Sequence, residues 1–228
     1  MLHDAPMAES ARRPLKTRGR SASHAAATWL ARRGATPNGI SVVGLLLAVA
    51  AGACLLLSGG ADPAADRTAG PGTEAVLLVA AAVGVQLRLA ANMLDGLVAV
   101  ECGRGTRTGP LFNEVPDRLA DLAVLVPAGY AVGGGWGAGL GWAAGVLAVL
   151  TAYVRLLGGS FGQEQRFSGP MAKPHRMFAI TLACLVGAVE VLASGSAGVA
   201  LTAGLVVVVI GSALTCVLRL RAVAAGLP

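Results

Sequence analysis

Six apolar stretches, each close to 20 residues long, constrain this chain more than any other feature. They cover about residues 39–58, 75–100, 110–132, 136–157, 177–194 and 198–218. An α-helix of that length crosses the hydrocarbon core of a bilayer. Hydrophobic residues make up 55% of the 228 residues and charged residues only 13%, which excludes an ordinary soluble domain. We therefore predict an all-α integral membrane protein with six transmembrane helices.

The two ends of the chain are more polar than its middle. Residues 1–21 are basic, and we predict a disordered cytoplasmic tail there. Residues 22–35 combine Trp29 with Arg32 and Arg33, a pattern that favours a short amphipathic juxtamembrane helix on the membrane surface. A frayed helix without a lipid role is an equally good interpretation. Residues 36–221 then form the six-helix membrane domain, and 222–228 form a C-terminal tail.

The distribution of Lys and Arg predicts the orientation. Seven of them precede the first apolar stretch, and others lie in the second and fourth loops and after the last stretch. The first, third and fifth loops together hold only Arg67. By the positive-inside rule both termini are cytoplasmic and the protein resides in the cell membrane. The net charge of +6 lies beside apolar spans, so it predicts contact with membrane lipids and not with nucleic acid.

Polar residues at helical spacing interrupt the second and third stretches. Asn92, Asp95, Gly96 and Ala99 lie at i, i+3, i+4 and i+7, on one side of a helix. Gly109, Asn113, Asp117 and Asp121 follow at steps of four residues. Side-chain oxygens that converge between two helices suit Mg²⁺ or Mn²⁺ better than zinc. The spacing therefore predicts a hard-cation site at the cytoplasmic end of these helices.

This spacing resembles the signature of the CDP-alcohol phosphotransferase family, D-x-x-D-G-x-x-A-R, eight residues, then G-x-x-x-D-x-x-x-D. Every gap is kept, but Asn92 and Asn113 replace the first and third acids, and Val100 replaces the arginine. The chain is similar to a bacterial subgroup with the same two asparagines, an N-E dipeptide, and a G-P-M-x-K segment like that of residues 169–173.

The resemblance implies a metal-dependent phosphotransferase of phospholipid biosynthesis. Such an enzyme moves a phosphatidyl-type group from a CDP-activated lipid, such as CDP-diacylglycerol, to an alcohol and releases CMP. It implies these roles: metal ligands Asn92, Asp95, Asn113 and Asp117; nucleotide contacts Asp95, Gly96, Ala99 and Gly109; general base Asp117; and acceptor or phosphate contacts Lys173 and Arg176. The cofactor is Mg²⁺ or Mn²⁺, and the acceptor alcohol is not specified.

The two asparagines weaken the expected metal site. An asparagine oxygen can bind a cation but carries no charge, so the four motif positions supply a formal −2 instead of −4. We expect lower affinity for a second metal, with Asp121, Glu114 or Glu101 as additional acids that could restore the charge. An asparagine amide can also donate a hydrogen bond while its oxygen binds a cation, which a carboxylate cannot do.

Three alternatives stay open at this level. Salt bridges of Arg88 with Asp95, or of Arg118 with Asp121, would satisfy some of the charges without any catalytic site. A non-catalytic membrane protein that keeps the fold and a lipid or nucleotide pocket is the second alternative. The glycines spaced by four from Gly137 to Gly145 fit either a homodimer or packing within one chain.

Overall fold

A computed structural model describes residues 21–59, 70–195 and 197–227, which form seven α-helices and no strand. The helices are α1 Ser21–Arg32, α2 Pro37–Ser58, α3 Pro71–Glu101, α4 Gly109–Val132, α5 Gly134–Ser160, α6 Lys173–Ser194 and α7 Gly198–Ala224. The predicted all-α architecture is thus confirmed for the described part of the chain.

Local sequence explains where the helices begin and end. Thr36 caps α2, because its hydroxyl accepts a hydrogen bond from the backbone N–H of Gly39 over 3.1 Å, and Pro37 opens the first turn. The helices α3, α4 and α6 also have a proline at the first or second position. A backbone N–H at these positions makes no hydrogen bond within the helix, so proline is tolerated there. Gly195 ends α6 in the left-handed conformation, at φ 81°, which glycine adopts without strain.

The six long helices form a closed ring. Its order is α2, α3, α6, α7, α5, α4 and back to α2, while α4 also contacts α7 across the middle. Because successive helices run in opposite directions, one end of the ring collects the starts of α2, α4 and α6 with the ends of α3, α5 and α7. The predicted site residues all lie at this end.

Small residues bring the helices together. A Cβ atom on Gly52 of α2 would lie 2.0 Å from the backbone oxygen of Ala123 on α4. On α5, the glycine face that suggested a homodimer packs against α4 instead: a Cβ on Gly141 would lie 2.8 Å from the Cα of Gly129. Intramolecular packing therefore accounts for this face, and a homodimer stays a prediction.

Five of the six predicted spans are confirmed as long, apolar helices: α2, α3, α5, α6 and α7. The exception is α4, which has the length of a span but is not apolar enough to be counted with them. It carries Glu114, Asp117, Arg118 and Asp121. Its contacts with α2, α5 and α7 put these side chains among other helices. Pro116 and Pro127 lie inside α4, and neither ends it.

The predicted end segments are only partly described. Residues 1–20 of the basic tail, and residue 228, lie outside the described residues. The predicted juxtamembrane segment contains α1, which packs on α3 and buries Ala27 and Ala31 while Trp29 stays exposed. Its location on a membrane surface stays a prediction. The last helix, α7, continues to Ala224, so it includes the first residues of the predicted C-terminal tail.

Candidate active site

Asp117 is the centre of the polar cluster at this end of the ring. Its Oδ1 lies 2.5 Å from Nη2 of Arg88 on α3 and 2.5 Å from Nζ of Lys173, the first residue of α6. Its Oδ2 has a looser partner, Nη2 of Arg118, at 3.5 Å. Three helices therefore supply charge to one carboxylate, and Oδ2 is the less engaged of its two oxygens.

Asn92 joins Asp117 to Lys173. With its amide oriented to satisfy both neighbours, its nitrogen donates to Oδ1 of Asp117 over 3.0 Å and its oxygen accepts from Nζ of Lys173 over 3.2 Å. An asparagine thus donates to an anion and accepts from a cation at the same time. The sequence predicted an amide that donates while its oxygen binds a metal ion. Here that oxygen faces the ammonium of Lys173, and the metal role of Asn92 stays a prediction.

Asp95 lies one turn beyond Asn92 on α3 and is buried. Its Oδ2 accepts a hydrogen bond of 2.6 Å from the hydroxyl of Ser41 on α2. A cavity of about 10 Å³ separates this carboxylate from Asp117. The cavity is lined by Ser41, Gly44, Arg88, Asn92, Asp95, Pro116 and Asp117.

Arg88 is buried, with its side chain 3% exposed, and it uses only part of its hydrogen-bonding capacity. Its Nη2 binds Asp117, while Nε and Nη1 have no hydrogen-bond partner among the described residues. Buried N–H groups are rarely left without an acceptor in folded proteins. These unused donors leave Arg88 able to bind a further acceptor group.

The predicted nucleotide positions lie beside this cluster. Gly96 and Ala99 follow Asp95 on α3 and are partly buried, and Gly109 begins α4. The side-chain nitrogen of Asn38, at the start of α2, lies 3.3 Å from the hydroxyls of both Thr106 and Thr108 in the loop before α4. These bonds hold the loop against the start of α2. The nucleotide roles stay predictions.

Asp121 and Arg176 form a separate buried pair beneath the cluster. Oδ2 of Asp121 lies 2.8 Å from Nη2 of Arg176, and the two side chains are 0% and 2% exposed. Arg176 also donates to the hydroxyl of Thr151 and the backbone oxygen of Met171. This geometry favours a structural role over the additional acid and the acceptor contact that the sequence suggested for these two residues.

Glu114, which the sequence offered as an additional acid, points away from the motif, because the position one residue after Asn113 lies about 100° further round the helix. Both of its oxygens bind Nη2 of Arg155 on α5, at 2.6 and 2.7 Å. Arg155 also contacts Gln165 and stacks over the ring of Phe167, so it anchors the loop between α5 and α6. Arg155 was not among the residues predicted from the sequence, although a charged residue in an apolar stretch is a usable signal.

The salt bridges considered from the sequence, Arg88 with Asp95 and Arg118 with Asp121, do not form, and each residue has another partner. Arg88 pairs with Asp117 and not with Asp95, because seven residues along one helix separate two positions by about 10 Å. Arg118 contacts Glu114 and Asp117, while Asp121 faces Arg176. The charges are therefore satisfied between helices.

The cluster offers oxygen ligands for one small divalent cation. The cavity between Asp95, Asn92 and Asp117 has room for about one water-sized particle. Lys173 occupies the other side of Asp117, and Asn113 is exposed one turn earlier on α4. In the described ranges, no three His, Cys, Asp or Glu side chains are grouped closely enough to hold a metal.

No family model matches the chain. The inner membrane protein YnbA of Escherichia coli (strain K12) is 26% identical over 148 residues. The match covers 65% of this chain and 66% of that protein, just under two thirds of its length.

Three solved structures of Mycobacterium tuberculosis phosphatidylinositol phosphate synthase, PgsA1, are similar to this chain. The form with CDP-DAG bound has a TM-score of 0.69 and 23% identity, covering 88% of this chain and 92% of that one. The complex with manganese and citrate gives 0.70 and 23%, covering 89% and 88%. The apo form gives 0.64 and 25%, covering 88% and 95%. The chain has the fold of that synthase. It is a multi-pass membrane protein.

Proposed function

We propose that this protein is a CDP-alcohol phosphotransferase, which transfers a phosphatidyl-type group from CDP-diacylglycerol to an alcohol and releases CMP. The observation that carries the proposal is the cluster around Asp117. It combines a carboxylate on α4, a second carboxylate on α3, the buried Arg88 and the partly buried Lys173, all at one end of the ring. The motif spacing and the fold of a synthase whose crystal structure contains CDP-DAG support the same class of reaction.

The cationic side chains suit a diphosphate donor. Arg88 keeps two buried N–H groups without partners, and Lys173 has a third ammonium hydrogen beyond those bound to Asp117 and Asn92. Phosphate oxygens accept such charge-assisted hydrogen bonds strongly. A diphosphate placed against Arg88 and Lys173 would put its cytidine toward Gly96, Ala99 and Gly109.

Asp117 is the proposed base. Its Oδ1 is held by Arg88 and Lys173, so Oδ2 is the oxygen that accepts the proton of the acceptor hydroxyl. The hydroxyl oxygen forms a bond to the phosphorus next to the lipid, the bond from that phosphorus to the oxygen of CMP breaks, and CMP leaves with those electrons. The side chain of Asp117 is only 13% exposed, which limits its contact with water.

A divalent cation would be held by Asp95, Asn92 and Asp117, which line the cavity between them. When bound, Mg²⁺ or Mn²⁺ neutralises phosphoryl charge and orients the donor. The synthase of similar fold has been crystallised with manganese, which supports a metal-dependent transferase.

Release of CMP tests the proposal directly. Purified protein is given CDP-diacylglycerol, Mg²⁺ or Mn²⁺, and a panel of alcohols, and CMP is measured. We expect alcohol-dependent CMP release that falls by about 10² or more in Asp117→Asn, a loss typical of removing a general base. Glu164→Gln, which changes an exposed carboxylate in the α5–α6 loop, serves as the control and should keep wild-type release.

Silence with every alcohol and both metals would instead support a membrane protein that binds but does not turn over. The charge of Asp117 is already balanced by Arg88 and Lys173, which favours this non-catalytic function as the second candidate. Equal release by wild type and Asp117→Asn would contradict the role of Asp117 while leaving the reaction class intact.

A further inference from the structure

The cluster around Asp117 carries its own positive charge. Lys173 and Arg88 each approach Oδ1 of Asp117 to 2.5 Å. Arg118, whose Nη2 lies 3.5 Å from Oδ2 of Asp117, also pairs with Glu114. Apart from that pair, the two cations Arg88 and Lys173 balance the two carboxylates of Asp95 and Asp117. Each divalent ion bound there would add two positive charges, so a second ion would need twice the compensation from the donor phosphates.

The position of Lys173 is fixed by its surroundings. It is the first residue of α6, after the loop in which the backbone N–H of Met171 donates to the hydroxyl of Thr215 over 3.0 Å. Its side chain is 15% exposed. The ammonium is therefore part of the site and not a mobile surface charge.

Asn92 and Lys173 depend on each other. The amide of Asn92 donates to Oδ1 of Asp117 over 3.0 Å, so a carboxylate at position 92 would place oxygen against oxygen there. Without a carboxylate at this position, a metal ion loses a charged ligand, whereas the ammonium of Lys173 keeps a neutral acceptor at 3.2 Å. The amide of Asn92 and the ammonium of Lys173 thus occupy the positions beside Asp117 that a carboxylate and a metal ion would otherwise take.

We infer that the ammonium of Lys173 takes the place of one divalent cation, so that the site holds a single Mg²⁺ or Mn²⁺ and Lys173 supplies the second positive charge to the phosphates of the donor. The donor's identity rests on the proposed function. The number of bound ions does not, because it is measured without turnover.

Bound manganese measures this number. Purified full-length protein is titrated with Mn²⁺ alone and with Mn²⁺ plus CDP, and the bound ion is counted by electron paramagnetic resonance. We expect one ion per wild-type chain, with a spectrum free of exchange coupling. Two ions a few ångströms apart, as in two-metal sites, couple magnetically. Two coupled ions in the wild type would overturn the inference, and this needs no variant.

A double variant tests whether Lys173 is what keeps a second ion out. Asn92→Asp with Lys173→Met replaces amide and ammonium with a carboxylate and an apolar chain, and should bind a second, coupled Mn²⁺. The control, Asn92→Asp with Arg166→Gln, changes the net charge equally but removes an exposed cation of the same loop, and should still bind one. A folded first variant that binds one ion, or a control that binds two, would refute the role of Lys173.

The two hypotheses fail separately. One ion in the wild type and two in the Lys173 variant, without CMP release from either, would uphold the charge replacement and reject the proposed reaction. CMP release with two coupled ions in the wild type would do the reverse.

Discussion

At the scale of single residues, the pair of Asp121 and Arg176 shows how a charged cluster can stabilise the ring of helices. Both side chains are buried, and the guanidinium also binds Thr151 on α5 and the loop before α6. One arginine therefore connects α4, α5 and α6. Such a pair contributes little net stability as a whole, but removing one partner leaves an uncompensated buried charge.

Arg176→Met should lower the free energy of unfolding by about 3–5 kcal/mol, because Asp121 would stay buried without its cation. Thermal unfolding in detergent measures the change as a lower midpoint. Arg176→Met combined with Asp121→Leu should recover most of the loss, and Arg166→Met, an exposed arginine, should have little effect. An unchanged midpoint with a raised KM for the alcohol would favour the acceptor role that the sequence suggested.

The residue types of the site were predictable from sequence, but their pairing was not. Asn92, Asp95 and Asp117 were found because helical spacing places them on defined faces. The partners of Asp117 depend on which helices are neighbours in the ring, and no local pattern encodes that order. Arg88 and Lys173 therefore became visible as its partners only in the structure.

At the scale of elements, α4 combines the functional residues with the tightest packing. One of its faces carries Asp117 and Asp121, and Gly129 further along it contacts Gly141 of α5 at backbone distance. Apolar length predicted the helix itself. Its place between α2, α5 and α7 could not be predicted from hydropathy, because hydropathy says nothing about which helices are neighbours. The four charged residues of α4 only make it less apolar than the other long helices.

Gly141→Leu should force α4 away from α5. A Cβ there would lie 2.8 Å from the Cα of Gly129 and from the backbone oxygen of Val126, and backbone cannot move aside cheaply. We expect a loss of about 1–3 kcal/mol or more, typical of overpacking. The measurement is the thermal midpoint in detergent together with the recovery of monodisperse protein.

Gly139→Leu is the matched control for this change. It lies two residues earlier on α5, and a Cβ there would meet nothing within 4 Å. Both substitutions gain the same helix propensity, so only the contact with α4 differs. Equal midpoints for the two variants would contradict the packing described for α4 and α5.

At the scale of the whole molecule, the ring gives the protein two unlike ends. One holds the cluster around Asp117, Arg176 with Asp121, and Arg155 with Glu114. Trp136 lies at the start of α5, which belongs to the other end, and is exposed, as is Trp142 two turns on. Such aromatic residues are typical of a membrane interface.

The orientation of these ends in the membrane is the final prediction. Because Lys and Arg concentrate in the loops of the polar end, we expect that end to face the cytoplasm. The orientation is measured in a variant whose four native cysteines are replaced by alanine. One new cysteine, Gly70→Cys, lies before α3, where a Cβ meets nothing within 4 Å. The other, Ser168→Cys, is exposed in the α5–α6 loop. A membrane-impermeant thiol reagent added to intact cells should label position 70 and spare position 168. After the cells are opened, both should react, which controls for local accessibility. The opposite pattern would place the cluster outside the cell and would contradict the orientation that the Lys and Arg distribution predicts.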